Sequence, residues 1–380
     1  MRLAQPWRIC LASALSDPLI LVKMRATIFR PEDDHAILQD LRSVHDACWE
    51  VFHQLRGSRI FLTGGTGFIG CWLLESLRYA DCAKTLGLHV TVLTRDFSAF
   101  QGKAPHLANY PSFSFIEGDV CDFEAPAGEF SHLIHAATDA SANLNENNPL
   151  KMFDTILQGT RRALDFAVKK GVKRTLFLSS GAVYGAQPWE MEHVAEDWLG
   201  GPNYLDSRAT YAEGKRAAEM LCAIYRKQFG ANVTIARIFS LLGPYLSLDI
   251  HFAAGNFIRD AIQGKKIVVK GNGLPCRSYL YASDLTVWLW HLLARGENGA
   301  PYNVGSDVST SVRDLAETVS DTLGNVGFEV IGAPDKGWNL GRYVPDVSRV
   351  AQELGLHQTV GLQEAILRTA RWNGWRGRHL

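Results

Sequence analysis

Three features of the sequence predict an α/β protein. An apolar strand runs into a glycine-rich turn and at once into a helix, strand and helix signals alternate behind it, and a Tyr and a Lys stand four residues apart on a later helix. The expected architecture is a Rossmann-type doubly wound parallel sheet with helices on both faces, followed by a smaller α+β C-terminal lobe. Residues 1–57 should form an N-terminal arm and amphipathic helix, 58–240 a dinucleotide-binding core, and 241–380 mainly the second lobe. With 380 residues, 47% of them hydrophobic, the chain has ample core for one large unit or two intimate domains.

Composition excludes several classes of partner. The 39 basic and 39 acidic side chains cancel, which argues against nucleic acid or an anionic membrane surface. The seven cysteines are scattered, odd in number and without metal-ligand spacing, so reduced thiols and no metal are expected. No stretch is long and apolar enough to span a bilayer. Residues 9–22 imitate a signal peptide, but Asp17-Pro18 interrupts them, and a cytoplasmic protein is expected.

Taken in order, residues 1–30 show no periodicity. Ile37, Leu38, Leu41, Val44, Cys48, Val51, Phe52 and Leu55 then mark one helical face, with Asp33 and Asp34 at the cap and Gly57 at the close. The first core strand ends in Gly64-Gly65-Thr66-Gly67-Phe68-Ile69-Gly70. Glycines allow the tight bend and a close approach of backbone to a pyrophosphate, and the following helix offers unpaired N–H groups to the anion. Further strands are read at 89–93, 113–116, 132–136, 175–179 and 233–237, with an amphipathic helix over 153–170. An acid at the end of the second strand would bind the ribose of NAD, whereas an Arg would accept the 2′-phosphate of NADP. The sequence there is Thr94-Arg95-Asp96. It leans toward NADP, but Asp96 is one step away, and the choice stays open.

Tyr211 and Lys215 open a helix over 211–229, one turn apart on one face. A phenol ionises near a pH of about 10, and a nearby ammonium favours the phenolate, preparing a general base. Ser179-Ser180 ends the fifth strand, and ligands of such sheets bind beyond the carboxyl ends of the strands.

These elements resemble the extended short-chain dehydrogenase/reductases, in particular the NAD-dependent epimerase/dehydratase family that acts on nucleotide sugars. The likeness rests on the glycine turn, Gly118-Asp119-Val120, His135-Ala136-Ala137-Thr138, Ser179-Ser180-Gly181-Ala182-Val183-Tyr184-Gly185 and Tyr211 with Lys215. It continues through residues 237–245, Gly271-Asn272-Gly273, Arg277-Ser278-Tyr279, residues 282–285 and Tyr302-Asn303-Val304-Gly305. It implies NAD or NADP as cofactor, a nucleoside-diphosphate sugar as substrate, and a homodimer. Gly64, Gly67, Phe68, Ile69 and Gly70 would line the pyrophosphate. Thr94 and Arg95 would meet the adenosine ribose, Asp119 and Val120 the adenine, and Ala136, Ala137 and Thr138 the nicotinamide side. Tyr211 would exchange a proton with the sugar hydroxyl, Ser180 would hold that hydroxyl, and Lys215 would hold the nicotinamide ribose. Asn256 and Arg277 would grip the sugar nucleotide's diphosphate.

The chain departs from the family's 4,6-dehydratases, which carry an Asp-Glu pair where this sequence has Gly181-Ala182. Decarboxylases of the family usually want a Glu there too. Epimerase chemistry is therefore expected ahead of net ketoreduction, and both ahead of dehydration. A reductase of non-sugar ketones and a cofactor-binding protein without turnover are further alternatives. Ser240 stands where the family often has Asn. Glu146, Glu190, Glu192, Asp206 and Glu213 read as surface charges, and Tyr184 as either a packing residue or a wall beside the sugar. In the C-terminal lobe, helices are expected over 257–262, 285–293 with Trp288 and Trp290 in the core, and 312–323. Residues 335–346, including Arg342 and Tyr343, are expected to close over the nucleotide.

Overall fold

The computed structural model describes residues 35–138, 142–249, 252–332 and 341–377. The first 34 residues, with the Asp33–Asp34 cap, and the first half of the segment expected over the nucleotide lie outside them. The expected helix over 37–55 is two: α1 (His35–Ala47) and α2 (Trp49–Gln54), divided at Cys48 while the apolar face runs on. Ile37, Leu41, Val44, Cys48, Val51, Phe52 and Leu55 are all buried. From α1, Ile37 and Leu41 pack on Trp72 and Ala282. Buried Asp40 accepts a hydrogen bond from Tyr281 at 2.7 Å and an ion pair from Arg368, tying the arm to the far end of the chain.

The core follows as β1 (Arg59–Thr63), α3 (Phe68–Lys84), β2 (His89–Thr94), α4 (Phe97–Lys103), α5 (Pro105–Ala108), β3 (Phe113–Glu117) and β4 (His132–His135). Next come α6 (Ala142–Asn147), α7 (Pro149–Lys169), β5 (Arg174–Ser180), a 3₁₀ turn at Gly181–Tyr184, α8 (Thr210–Phe229) and β6 (Val233–Ile238). Helix α7 starts earlier than its apolar periodicity suggests. Asn148 caps it by accepting the Lys151 N–H at 3.2 Å, and Pro149 takes the first position, where no donor is needed.

The remaining elements are β7 (Leu241–Leu242), α9 (Ala253–Ile262), β8 (Ile267–Val269), β9 (Cys276–Arg277), β10 (Leu280–Tyr281), α10 (Ala282–Arg295), β11 (Pro301–Val304) and β12 (Thr310–Ser311). They end with α11 (Val312–Thr322), β13 (Phe328–Val330), β14 (Arg342–Tyr343), α12 (Ser348–Leu354) and α13 (Leu362–Trp372). The main sheet has the order β11-β6-β5-β4-β1-β2-β3, parallel throughout. One expectation is corrected here. The stretch 302–305 is not part of the second lobe, because β11 pairs with β6 and completes the core sheet. Its leading Pro301 suits an edge strand, where a missing N–H costs no ladder bond. Helix α10, with Trp288 and Trp290 fully buried, also packs in the large core cluster under the sheet. Among the described residues no helix is long and apolar enough to cross a membrane.

Asp40→Ala leaves the Tyr281 hydroxyl without its acceptor and Arg368 without its partner. We expect a loss of about 3 kcal/mol in urea unfolding, the order seen when one side of a buried pair is removed. An unchanged midpoint would mean that α1 is not anchored through this carboxylate.

Candidate active site

Strand order reverses between β1 and β4, and the crevice beyond their carboxyl ends is where such sheets bind ligands. Gly64 turns the chain there with a φ of +73°, and a Cβ on it would stand 2.6–2.8 Å from the backbone of Ala136 and Ala137. A Cβ on Gly70 would meet the Gly64 carbonyl oxygen at 2.4 Å. Chain packing therefore dictates these two glycines. Gly67 differs: it caps α3, is exposed, and a Cβ would find only the Gly64 oxygen, at 3.4 Å. That open side at a helix N-terminus is the place for a pyrophosphate.

Behind the turn, Thr63 Oγ1 pairs with His135 Nδ1 at 2.8 Å and accepts the Ala137 N–H at 3.1 Å. His135 reaches Thr160 with its other nitrogen, and burial pushes its pKa down to about 3, so it stays neutral. The Thr138 hydroxyl oxygen is buried and has no hydrogen-bond partner, a donor and acceptor waiting at the crevice. Phe68 and Ile69 are half-buried in the first turn of α3, Val120 is buried, and Asp119 is exposed. An open glycine cradle and an unmatched hydroxyl fit a dinucleotide.

Ser180 ends β5 and caps the 3₁₀ turn, accepting the Ala182 N–H at 3.2 Å. Tyr211 and Lys215 project from the first turns of α8. Burial pushes the Tyr211 phenol up, and a hydrogen bond with Ser180 draws it back. Lys215 is buried, donates to the Leu178 carbonyl at 2.8 Å and lies 5.1 Å over the Phe177 ring. Burial pushes its pKa down to about 7. The sequence spacing suggests an ammonium that eases ionisation of Tyr211. Instead the phenol is raised, because its own burial outweighs the hydrogen bond with Ser180.

At Gly181 the reason for the missing side chain is visible. A Cβ there would stand 2.6–2.8 Å from three atoms of the Phe239 ring. Phe239 packs in turn on Tyr343, with ring centroids 4.5 Å apart. The Tyr343 hydroxyl stands 3.5 Å from Ser180 Oγ and donates to the Ile238 carbonyl at 3.4 Å. Sequence reasoning missed both aromatic residues as neighbours of Ser180, since they lie 59 and 163 residues away from it along the chain. Tyr184 resolves to a packing residue: it is buried under Arg237 and donates to Asn303 at 2.8 Å. Glu219, also missed, follows Lys215 by four residues on α8, a spacing that could have revealed it. It accepts from Ser179 at 2.5 Å and pairs with Arg237 at 2.7 Å.

In the second lobe, Asn256 of α9 accepts from Arg259 at 3.2 Å. Arg277 of β9 donates to the carbonyls of Cys276 and Gly341 at 2.8 and 2.7 Å and lies 5.8 Å over the Tyr343 ring. Thr94 is buried at the end of β2, Arg95 is exposed, and Glu146, Glu190 and Glu192 are exposed as expected. Asp206 and Glu213, read as surface charges, are half-buried and paired with Arg208 and Arg216.

The sequence profile of the NAD dependent epimerase/dehydratase family matches residues 60–305. The chain belongs to that family. It is 32% identical to UDP-glucuronic acid decarboxylase 1 of Xenopus tropicalis, over 83% of this chain and 72% of that protein. To UDP-glucuronic acid decarboxylase 6 of Arabidopsis thaliana it is also 32% identical, over 81% of this chain and 86% of that one. The fold is shared with the UDP-glucose 4-epimerase of Thermotoga maritima, solved with UDP-glucose (TM-score 0.70, 22% identity, 83% and 98% covered). It is shared as well with the NAD complex of the Thermus thermophilus UDP-glucose 4-epimerase (TM-score 0.68, 26% identity, 83% and 99% covered). The family is NAD dependent, so its dinucleotide is a nicotinamide one.

Lys215 gives the cofactor-free protein a predictable pH dependence. Its side chain titrates near 10.5 when unfolded and about 7 when folded, so between these values the unfolded chain binds more protons and the fold gains stability as pH rises. Lys215→Met removes this gain. The stability difference, variant minus wild type, should be largest below pH 7 and shrink toward pH 10 in guanidinium titrations. A difference independent of pH would mean that Lys215 does not titrate in this range.

Proposed function

We propose that this protein oxidises one carbinol of a nucleoside-diphosphate sugar and reduces it again in the same site, an epimerase-type reaction that recycles its cofactor. The observation that carries this reading is the set of proton-transferring groups around Ser180. Tyr211 is bonded to it, while the space a carboxyl group at position 181 would need is filled by the Phe239 ring. Glu219, the carboxylate that reaches the end of β5, is committed to Ser179 and Arg237.

Ser180 holds the substrate hydroxyl and Tyr211 takes its proton. The bound nicotinamide supplies the hydride acceptor and later the donor. Lys215 turns toward the nicotinamide ribose, and Arg277 offers its planar fork to the diphosphate while Asn256 holds a second oxygen. The homologous decarboxylases support a nucleotide sugar as substrate. We also infer a homodimer, supported by exposed Met220, Ile224 and Phe229 on α8 beside Val168 on α7.

A second reading, decarboxylation of a nucleoside-diphosphate uronic acid, is favoured by Tyr343. Oxidation beside the acid-bearing carbon makes a β-keto acid. Its C–C electron pair then passes into an enolate as CO₂ leaves, and the carbon must regain a proton. The Tyr343 phenol, kept protonated by burial and 3.5 Å from Ser180 Oγ, is placed to give it.

Tyr211→Phe should lower turnover about 10³-fold, the scale of a lost general base, with dinucleotide affinity unchanged. Full activity would sink the assigned mechanism. Incubation with UDP-, dTDP-, GDP- and CDP-sugars, UDP-glucuronic acid included, and product mass separates the readings. Unchanged mass without added reductant supports the epimerase. Loss of CO₂ supports the decarboxylase, in which Tyr343→Phe should slow solvent-deuterium incorporation at the product carbon about tenfold or more. A strict need for external NADPH with a gain of two hydrogens would replace both with a ketoreductase.

A further inference from the structure

We propose that the cofactor site of this chain is built for the phosphorylated dinucleotide, NADP or NADPH, and that Arg95 and Lys103 receive its 2′-phosphate. The inference concerns the cofactor alone and stands whichever reaction the sugar undergoes.

The adenosine ribose of a dinucleotide rests at the end of the second parallel strand. An acid there hydrogen-bonds the ribose hydroxyls and repels a phosphate. In this chain β2 ends on Thr94, whose hydroxyl is engaged with the backbone N–H and carbonyl of Asp96, both at 3.3 Å. The two carboxylates of this corner are committed to main-chain donors. Asp96 accepts the Ala99 N–H at 2.8 Å as the cap of α4. Glu117, at the end of neighbouring β3, accepts the Phe97 N–H at 2.9 Å. The ambiguity of Thr94-Arg95-Asp96 is thereby resolved: the acid that could have served a ribose is part of a helix cap.

The long side chains of the corner are cationic. Arg95 is exposed directly beyond the strand end. Lys103, the last residue of α4, turns back across the crevice and donates to the Thr66 carbonyl at 2.9 Å. Thr66 lies inside the glycine turn between Gly65 and Gly67, and β1 and β2 are paired neighbours. The ammonium therefore reaches the backbone of the glycine turn, and it also lies 5.7 Å over the Tyr245 ring. A forked guanidinium after β2 and a compact ammonium at the glycine turn suit a phosphate dianion, and neither offers an acceptor to a ribose hydroxyl.

The test is calorimetric titration of the cofactor-stripped, full-length protein with NAD⁺, NADP⁺, 5′-AMP and 2′,5′-ADP. NADP⁺ should bind at least about tenfold tighter than NAD⁺, the worth of one charge-assisted hydrogen bond. The gap should narrow as salt is raised, and 2′,5′-ADP should outbind 5′-AMP. Arg95→Ala and Lys103→Gln should each weaken NADP⁺ about tenfold and leave NAD⁺ within about twofold. Thr94→Asp should shift preference toward NAD⁺. Equal or tighter binding of NAD⁺ by the wild type would overturn the proposal, as would variants that weaken both dinucleotides alike. Binding of neither dinucleotide would overturn the cofactor assignment itself, a result distinct from a preference for NAD⁺.

Discussion

The working end of the molecule hangs on the ion pair between Arg237 and Glu219. Arg237 of β6 forks onto both carboxylate oxygens of Glu219 and passes its remaining donors to the Tyr184 hydroxyl at 2.8 Å and the Glu196 carbonyl at 3.0 Å. Glu219 also accepts from Ser179, and Tyr184 donates onward to Asn303 of β11. Burial by itself would press the guanidinium toward neutrality, but the carboxylate outweighs it and holds the charge firmly. One desolvated pair thus fixes the helix that carries Tyr211 and Lys215, the strand end that carries Ser180, the turn at Gly181 and the edge strand. Charge-assisted bidentate bonds suit this role because they fix angle as well as distance. Removing either partner would strand several polar groups together.

The glycine turn imposes a different constraint, one of volume. Gly64 and Gly70 are set by the approach of β4 and by the turn's own backbone, whatever the ligand. Gly67 alone leaves its open side to solvent. A sequence pattern that reads as one motif therefore mixes two causes, folding at its ends and binding in the middle. The His135–Thr63–Thr160 contacts continue the folding half, since a histidine pushed down to about 3 is a neutral spacer.

What the sequence made legible is what short-range physics encodes: six core strands, the glycine turn and the Tyr-Lys helix. Strand β11 escaped because four residues led by a proline look like a turn until β6 is beside them. The surroundings of Ser180 escaped for a related reason. Phe239 follows β6, Asn303 lies in β11 and Tyr343 in β14, and only the finished topology sets them around one turn. The Thr94-Arg95-Asp96 stretch was ambiguous because the use of a carboxylate depends on where the next helix starts, and Asp96 is that start.

The chemistry of the site is finally a matter of where protons can reside. Phe239 occupies the volume next to Gly181 and leaves two phenols, Tyr211 and Tyr343, sharing one serine hydroxyl. Burial raises both, so at rest each is a donor rather than a base. Lys215, poised near neutrality, is the adjustable charge: while it donates to Leu178 it does little for Tyr211, and a swing away from β5 would bring an ammonium toward the phenol. In the proposed reactions, oxidation of a substrate hydroxyl would need the Tyr211 phenol eased toward ionisation, whereas the Tyr343 phenol would serve as a proton donor as it stands. On the proposed readings, the difference between inverting one carbinol and doing chemistry at the next carbon would fall on Tyr343, stacked on the Phe239 ring with its hydroxyl 3.5 Å from Ser180 Oγ.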